Sequence, residues 1–170
     1  MEFKQHLKGV IIAIFSATIL LFVISFFVGH EVRVNKSFVF QEESDSLYNF
    51  MKDPKNFKNL VSGTDEVEIS FLKKGIGVQY EGFDKSLHTF KYQVFDKSLG
   101  LELLYIKEEE EQAIFKYRLN PKKSGTLLEF EKVWKISLNP LTKLLSIGVD
   151  EDIEAGMKLD MKKLKQAIQK

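Results

Sequence analysis

Three histidines and no cysteine are the whole stock of soft ligands and thiol nucleophiles in this chain. His6 and His30 flank a long apolar run, which leaves His88 alone in the main folded portion, with no partner suggested by spacing. No HExxH, cysteine pair or carboxylate loop with a glycine bend occurs, so neither a metal nor a cofactor is expected. The four acids Glu108 to Glu111 point in different directions and read as a solvated turn, not a calcium loop. Gly75-Ile76-Gly77 lacks the third glycine and the following helix of a phosphate cradle, and reads as a strand-edge turn. No catalytic residue is assigned on this inventory.

The residues that suggest binding are aromatic. Leu128, Phe130, Trp134 and Ile136 share one face of an alternating segment, and Ala113, Phe115, Tyr117 and Leu119 share one face of the segment before it. Tyr80 and Tyr92 occupy comparable positions in earlier segments. Apolar walls carrying a few phenol or indole groups suit a site that buries a lipid-like body and fixes one polar end. The plainer alternative is that each of these side chains fills a core. Lys132 falls between Phe130 and Trp134 on the same face, where an inward ammonium needs a ligand carboxylate, a phosphate or a protein acid. A bulge that turns it outward, or burial of its stem alone, are the ordinary alternatives. Met157 and Met161 offer an adaptable cavity ceiling or simple core filler, and Gly156 beside them allows close approach of a strand or ligand at a cost in helix stability.

The elements that must hold these residues follow from periodicity. Residues 31–40, EVRVNKSFVF, alternate as a strand. Ser44 is placed to cap a short helix carrying Leu47, Phe50 and Met51, and Asp53-Pro54 to cap a second carrying Phe57, Leu60 and Val61. Period-two segments at 67–72, 76–80, 87–95, 101–106, 113–119 and 127–136 are separated by short turns, including Ser98-Leu99-Gly100 and Asn120 to Gly125. Intervals this short permit hairpins and no helical crossovers, so an antiparallel meander of six strands is expected, with the first strand making seven. From about residue 150 to 169, Ile153, Met157, Met161 or Asp160, Leu164 and Ile168 mark one helical stripe, with acids first and lysines last.

Gly9 to Gly29 carry no charge, and a helix of that length crosses a bilayer core of about 30 Å. The run is longer than a signal-peptide core, and no small-x-small site follows it. The expected organisation is a short basic tail at 1–8, a transmembrane helix at 9–29 and a single domain at 31–170. Lys4 and Lys8 nearly balance Arg33 and Lys36, and the simpler insertion route leaves the domain on the extracytoplasmic side of a single-pass cell-membrane protein. The chain carries 25 basic and 24 acidic residues, with no basic footprint for nucleic acid. The bilayer and a hydrophobic small molecule or lipid are the expected partners; no protein partner is legible.

Taken together, VRVNKSFVF, DPKNFKNLV, GTLLEFEKVWKI and DIEAGMKLDMKKLKQAI, in the order strand, two short helices, meander and long helix, resemble the START-like or SRPBCC superfamily of polyketide cyclases and lipid-transfer proteins. The resemblance covers about 140 residues and lies in layout, not in a catalytic signature. It implies an α+β helix-grip fold: a curved antiparallel sheet of about seven strands around a long C-terminal helix, with a cavity between them for an apolar ligand. Tyr80, Tyr92, Phe115, Tyr117, Phe130, Lys132, Trp134, Met157 and Met161 are the candidate lining. A cyclase or dehydratase on the same fold and a ligand-free envelope scaffold are the competing functions.

Overall fold

The computed structural model describes residues 2–94, 100–137 and 139–169. Helix α1 (Glu2–Phe27) contains most of the uncharged run but begins upstream of Gly9, because nothing in the basic tail breaks a helix. Its 26 residues extend about 39 Å, long and apolar enough to cross a membrane. Thr18 and Ser25 donate their hydroxyls back to the carbonyls of Ile14 and Phe22, at 2.9 and 2.6 Å, which satisfies both groups within an apolar helix. Only Val28, Gly29 and His30 separate α1 from strand β1 (Glu31–Phe40).

Helix α2 (Ser44–Lys52) follows, capped by the backbone at Glu43 and not by the Ser44 side chain, which is the first helical residue. Asp53 does cap the next turn: its carboxylate accepts from the Lys55 N–H at 3.0 Å, Pro54 occupies the first position, and a 3₁₀ turn (Pro54–Asn56) leads into α3 (Phe57–Leu60).

The meander comprises β2 (Ser70–Phe71), β3 (Gly77–Glu81), β4 (Leu87–Val94), β5 (Leu101–Lys107), β6 (Glu110–Lys122) and β7 (Gly125–Lys135). All neighbours are antiparallel in the order β1-β7-β6-β5-β4-β3-β2, so the first strand closes onto the last and the sheet has seven strands. The segment expected at 67–72 contributes only two paired residues, at the free edge. The turn expected at 120–125 contracts to Lys123-Ser124, with Pro121 inside β6 opposite Thr126. Proline is tolerated there because β5 begins opposite Tyr117, so the end of β6 is paired on one side only. Of the acidic run, Glu108 and Glu109 form the turn and Glu110 and Glu111 open β6. The expected strand end at Phe95 and most of the turn at 98–100 lie outside the described residues.

Two helices complete the chain, α4 (Pro140–Leu145) and α5 (Val149–Ile168). Six residues fall short of two turns, so α4 has no readable periodicity in the sequence; it packs against α1. Helix α5 lies on the inner face of the curved sheet and buries Ile153, Met157, Asp160, Met161 and Leu164. Both residues that competed for its stripe, Asp160 and Met161, are inside. The core between helix and sheet is rich in rings: Phe90 packs on Phe57, Tyr105 and Phe115 with centroids 4.8, 4.7 and 5.7 Å apart, and Tyr117 stacks on Phe130 at 4.4 Å.

Candidate functional site: a cavity between sheet and helix, and two polar clusters

The register of β7 is unbroken from Thr126 to Trp134 against both β1 and β6, so no bulge turns Lys132 outward. Alternation therefore carries its side chain to the inner face with Phe130 and Trp134. Its whole length is drawn in, with only 10% of the side chain exposed, because a protein acid waits there. Lys132 Nζ donates to Asp160 Oδ2 at 2.8 Å, and Asp160 Oδ1 accepts from both the N–H and the hydroxyl of Ser62, at 2.7 and 2.6 Å. Three donors and an opposite charge offset the cost of burying this carboxylate. The ammonium also lies 4.5 Å from the centroid of the Phe115 ring and 5.5 Å from that of Phe130, a cation–π arrangement on the aromatic floor.

One flank of Lys132 faces a cavity of about 340 Å³ lined also by Trp134, Val149, Asp152, Ile153 and Gly156. Gly156 makes the room: a Cβ placed there meets nothing closer than Lys132 Nζ, at 3.9 Å. A second depression of about 300 Å³ shares Trp134 and Val149 and continues past Ser146 and Leu145 toward α4. The lining is apolar on the side of Trp134, Val149 and Ile153, with the lysine and Asp152 as polar ends.

Deeper in, the hydroxyls of Tyr92 and Tyr117 are buried with no hydrogen-bond partner among the described residues. Burial raises the Tyr117 phenol well above its ordinary range, and the charges of Asp160 and Tyr92 add to the shift. Tyr92 is raised by burial first and by Asp53 second. Burial holds both phenols neutral.

A second polar cluster lies on the same face of the sheet, toward the β3–β4 turn. Ser86 Oγ is bonded to Asp84 Oδ1 and lies 2.8 Å from His88 Nε2, while His88 Nδ1 is 2.8 Å from the Tyr105 hydroxyl. Lys107 bonds Asp84 Oδ2 at 2.7 Å, and with Ser86 it holds the Asp84 carboxyl well below the usual carboxylate range. The ionised Asp84 requires Ser86 to donate to it, so in the singly protonated ring Nε2–H donates to Ser86 and Nδ1 accepts from Tyr105. The chain of donors runs one way, from Tyr105 to Asp84. Tyr80 stacks on the His88 ring at 4.9 Å, and burial pushes its own phenol up to about 12. His88, which spacing left without a partner, thus has two. The signal was present in the period-two series Asp84, Ser86, His88; the fourth member, Tyr105, is supplied by the β4–β5 pairing.

Of the nine expected lining residues, Lys132 and Trp134 line the cavity. Phe115, Phe130, Tyr92, Tyr117, Met157 and Met161 are buried in the core around it, and Tyr80 is half-buried beside His88. Among the described residues no group of three or more His, Cys, Asp or Glu side chains is arranged to hold a metal.

No family model matches this chain, and no curated protein matches it. Solved structures do. A protein of unknown function from Staphylococcus aureus superposes with a TM-score of 0.62 at 14% identity, over 82% of this chain and 94% of that one. A protein from Chromobacterium violaceum gives 0.57 at 13% identity, over 84% and 99%. The di-domain ARO/CYC StfQ from the steffimycin biosynthetic pathway gives 0.53 at 10% identity, over 80% of this chain and 50% of its own. Likeness at such identities establishes the fold alone. The chain has a helix-grip fold, with an apolar N-terminal helix added to it.

Proposed function

We propose that this protein is a membrane-anchored binding module that holds a hydrophobic small molecule or lipid between sheet and α5, with the domain on the extracytoplasmic side. The observation that carries the reading is the cavity of about 340 Å³ beside Trp134, Val149 and Ile153, opened by Gly156 and bounded by the Lys132 ammonium. Its volume lies at the small end of the range for ligand sites, and its few polar groups suit a ligand with an apolar body and one acceptor group. Phe115 and Phe130 carry the lysine from below, with Tyr92, Tyr117, Met157 and Met161 as the shell that shapes the pocket. Catalysis is disfavoured by placement: the Asp84–Ser86–His88–Tyr105 chain sits on the β3–β4 turn, β4 and β5, and none of its members lines the cavity, although the Tyr105 ring packs behind Trp134 at 5.9 Å. A cyclase needs acid and base converging on one ligand.

Trp134 is the sole tryptophan and stands in the cavity wall, so it reports occupancy directly. The full chain in nanodiscs is titrated with cis-parinaric acid, and energy transfer from Trp134 is compared between the native protein and Gly156→Leu, whose side chain fills the pocket. Saturable transfer lost in the variant supports the reading. Equal transfer in both places the probe in the bilayer and leaves the scaffold as the better account.

A further inference from the structure

The α4 segment is stitched to the end of α1. Lys143 is buried, and its Nζ donates to the Val28 carbonyl at 3.4 Å across 115 residues of sequence. Seven residues earlier, the Ile136 N–H donates to the His30 carbonyl at 2.8 Å. Both bonds fall on the short link between the apolar helix and β1, so α4 stands at the level where α1 ends. At that level its outward face is apolar: Leu141 and Leu145, one helical turn apart, are 67% and 83% exposed, Ile147 just beyond is 65% exposed, and Phe27 on α1 is 85% exposed. Exposed apolar residues gathered on the segment that packs against an apolar helix suit an interaction surface.

We infer that Leu141, Leu145 and Ile147 dock into the interfacial layer of the lipid leaflet from which α1 emerges, fixing the domain with the mouth of its cavity at the lipid surface. The inference rests on the reading of α1 as a membrane span. The lipid is specified by continuity: α4 packs on α1 itself, so whatever surrounds the end of α1 also meets this face. Lys143 fits the same place, because its ammonium is held inward on the Val28 carbonyl and leaves the outward face of α4 to Leu141 and Leu145. The depression that leads to Trp134 and Val149 is bordered by Leu145 and Ser146, so docking sets its opening beside the acyl region. An apolar ligand then passes between bilayer and cavity without crossing water. The acids that open α5, Asp150, Glu151 and Asp152, stand next to this face and favour a zwitterionic leaflet over an anionic one.

The chain has no cysteine, so single cysteines report position without background. Leu145→Cys and Ile147→Cys, both at exposed sites, are labelled with an environment-sensitive fluorophore in the full chain reconstituted into phosphatidylcholine vesicles carrying spin-labelled lipid at shallow or deep positions. Ile19→Cys in the apolar helix and Lys123→Cys in the β6–β7 turn, at the opposite end of the sheet, are the references. Docking predicts blue-shifted emission and shallow quenching at 145 and 147, deep quenching at 19 and none at 123. Deep quenching at 19 with water-like, unquenched labels at 145 and 147 overturns the docking and leaves the span intact. No quenching at 19 overturns the span itself, and the docking with it.

Discussion

Lys132→Met separates a paired buried charge from a merely hydrated one. The substitution keeps the length of the side chain and removes the ammonium, leaving the Asp160 carboxylate, with only 1% of its side chain exposed, held by the two donors of Ser62. Removing one partner of a buried pair costs about 3–5 kcal/mol, and because Ser62 still supplies two bonds the expected loss is about 3 kcal/mol. That is roughly a hundredfold in the unfolding constant and, with a urea slope of about 1–3 kcal/mol/M, a fall of about 1–3 M in the midpoint. Asp160→Asn is the milder change: the amide oxygen still accepts from Ser62, and the lysine keeps the Phe115 face and the open flank of the cavity, so about 1–2 kcal/mol is expected. The double variant should lose less than the sum of the singles. Urea titrations of the full chain in one fixed detergent, followed by Trp134 emission and far-ultraviolet circular dichroism, measure all three. A loss below about 1 kcal/mol for Lys132→Met, or a larger loss for Asp160→Asn than for Lys132→Met, refutes the argument that this pair is dry and mutually dependent.

Glu109 holds φ +70° and its neighbour Glu108 φ +49°, a left-handed pair that glycine adopts without penalty, so Glu109→Gly should stabilise the domain by about 0.5–1 kcal/mol in the same titration. An unchanged or lower midpoint would show that the turn is not strained. Alkaline pH acts through tyrosine: burial raises the phenols of Tyr80, Tyr92, Tyr105 and Tyr117, so above pH about 10 the unfolded chain releases protons that the folded chain keeps. Their contribution is complete below pH about 10 and is lost as pH rises toward the folded values, at up to about 1.4 kcal/mol per pH unit for each of the deeply buried Tyr92 and Tyr117 and by less for Tyr80 and Tyr105, which are less deeply buried. Tyrosinate absorbance should therefore appear together with unfolding; smooth titration near pH 10 with the fold intact would contradict the burial.

Local periodicity is what made the fold legible. The strand alternation and the stripe on α5 depend on residues two to four apart, and both elements stand where that spacing puts them. Strand ends are set by neighbours instead: Pro121 is admitted to β6 because β5 begins only opposite Tyr117 and leaves the end of β6 unpaired on that side, a fact that no window around Pro121 contains. The same limit hid much of the site. Lys132 was marked by its position among apolar residues, but Asp160 was only an alternative to Met161 on the helix, and a pattern scored for hydrophobicity prefers the methionine. The partner becomes visible once β7 and α5 are laid together, 28 residues apart in sequence. His88 meets Tyr105 through strand pairing across 17 residues. Helix α4 is short, and Leu141 and Leu145 on it face outward, so a search for a buried amphipathic stripe had nothing to find.

Strand β1 follows α1 after three residues and is paired with β7 along ten positions, from Glu31 opposite Lys135 to Phe40 opposite Thr126. Tension between the apolar helix and the body of the domain therefore pulls β1 along its own axis. In that direction all the rungs of the ladder resist together; they do not peel apart one by one. The strand that receives this shear is β7, which also carries Lys132 and Trp134 on its inner face. Mechanical load from the N-terminal helix and the shape of the cavity wall are thus borne by one and the same strand.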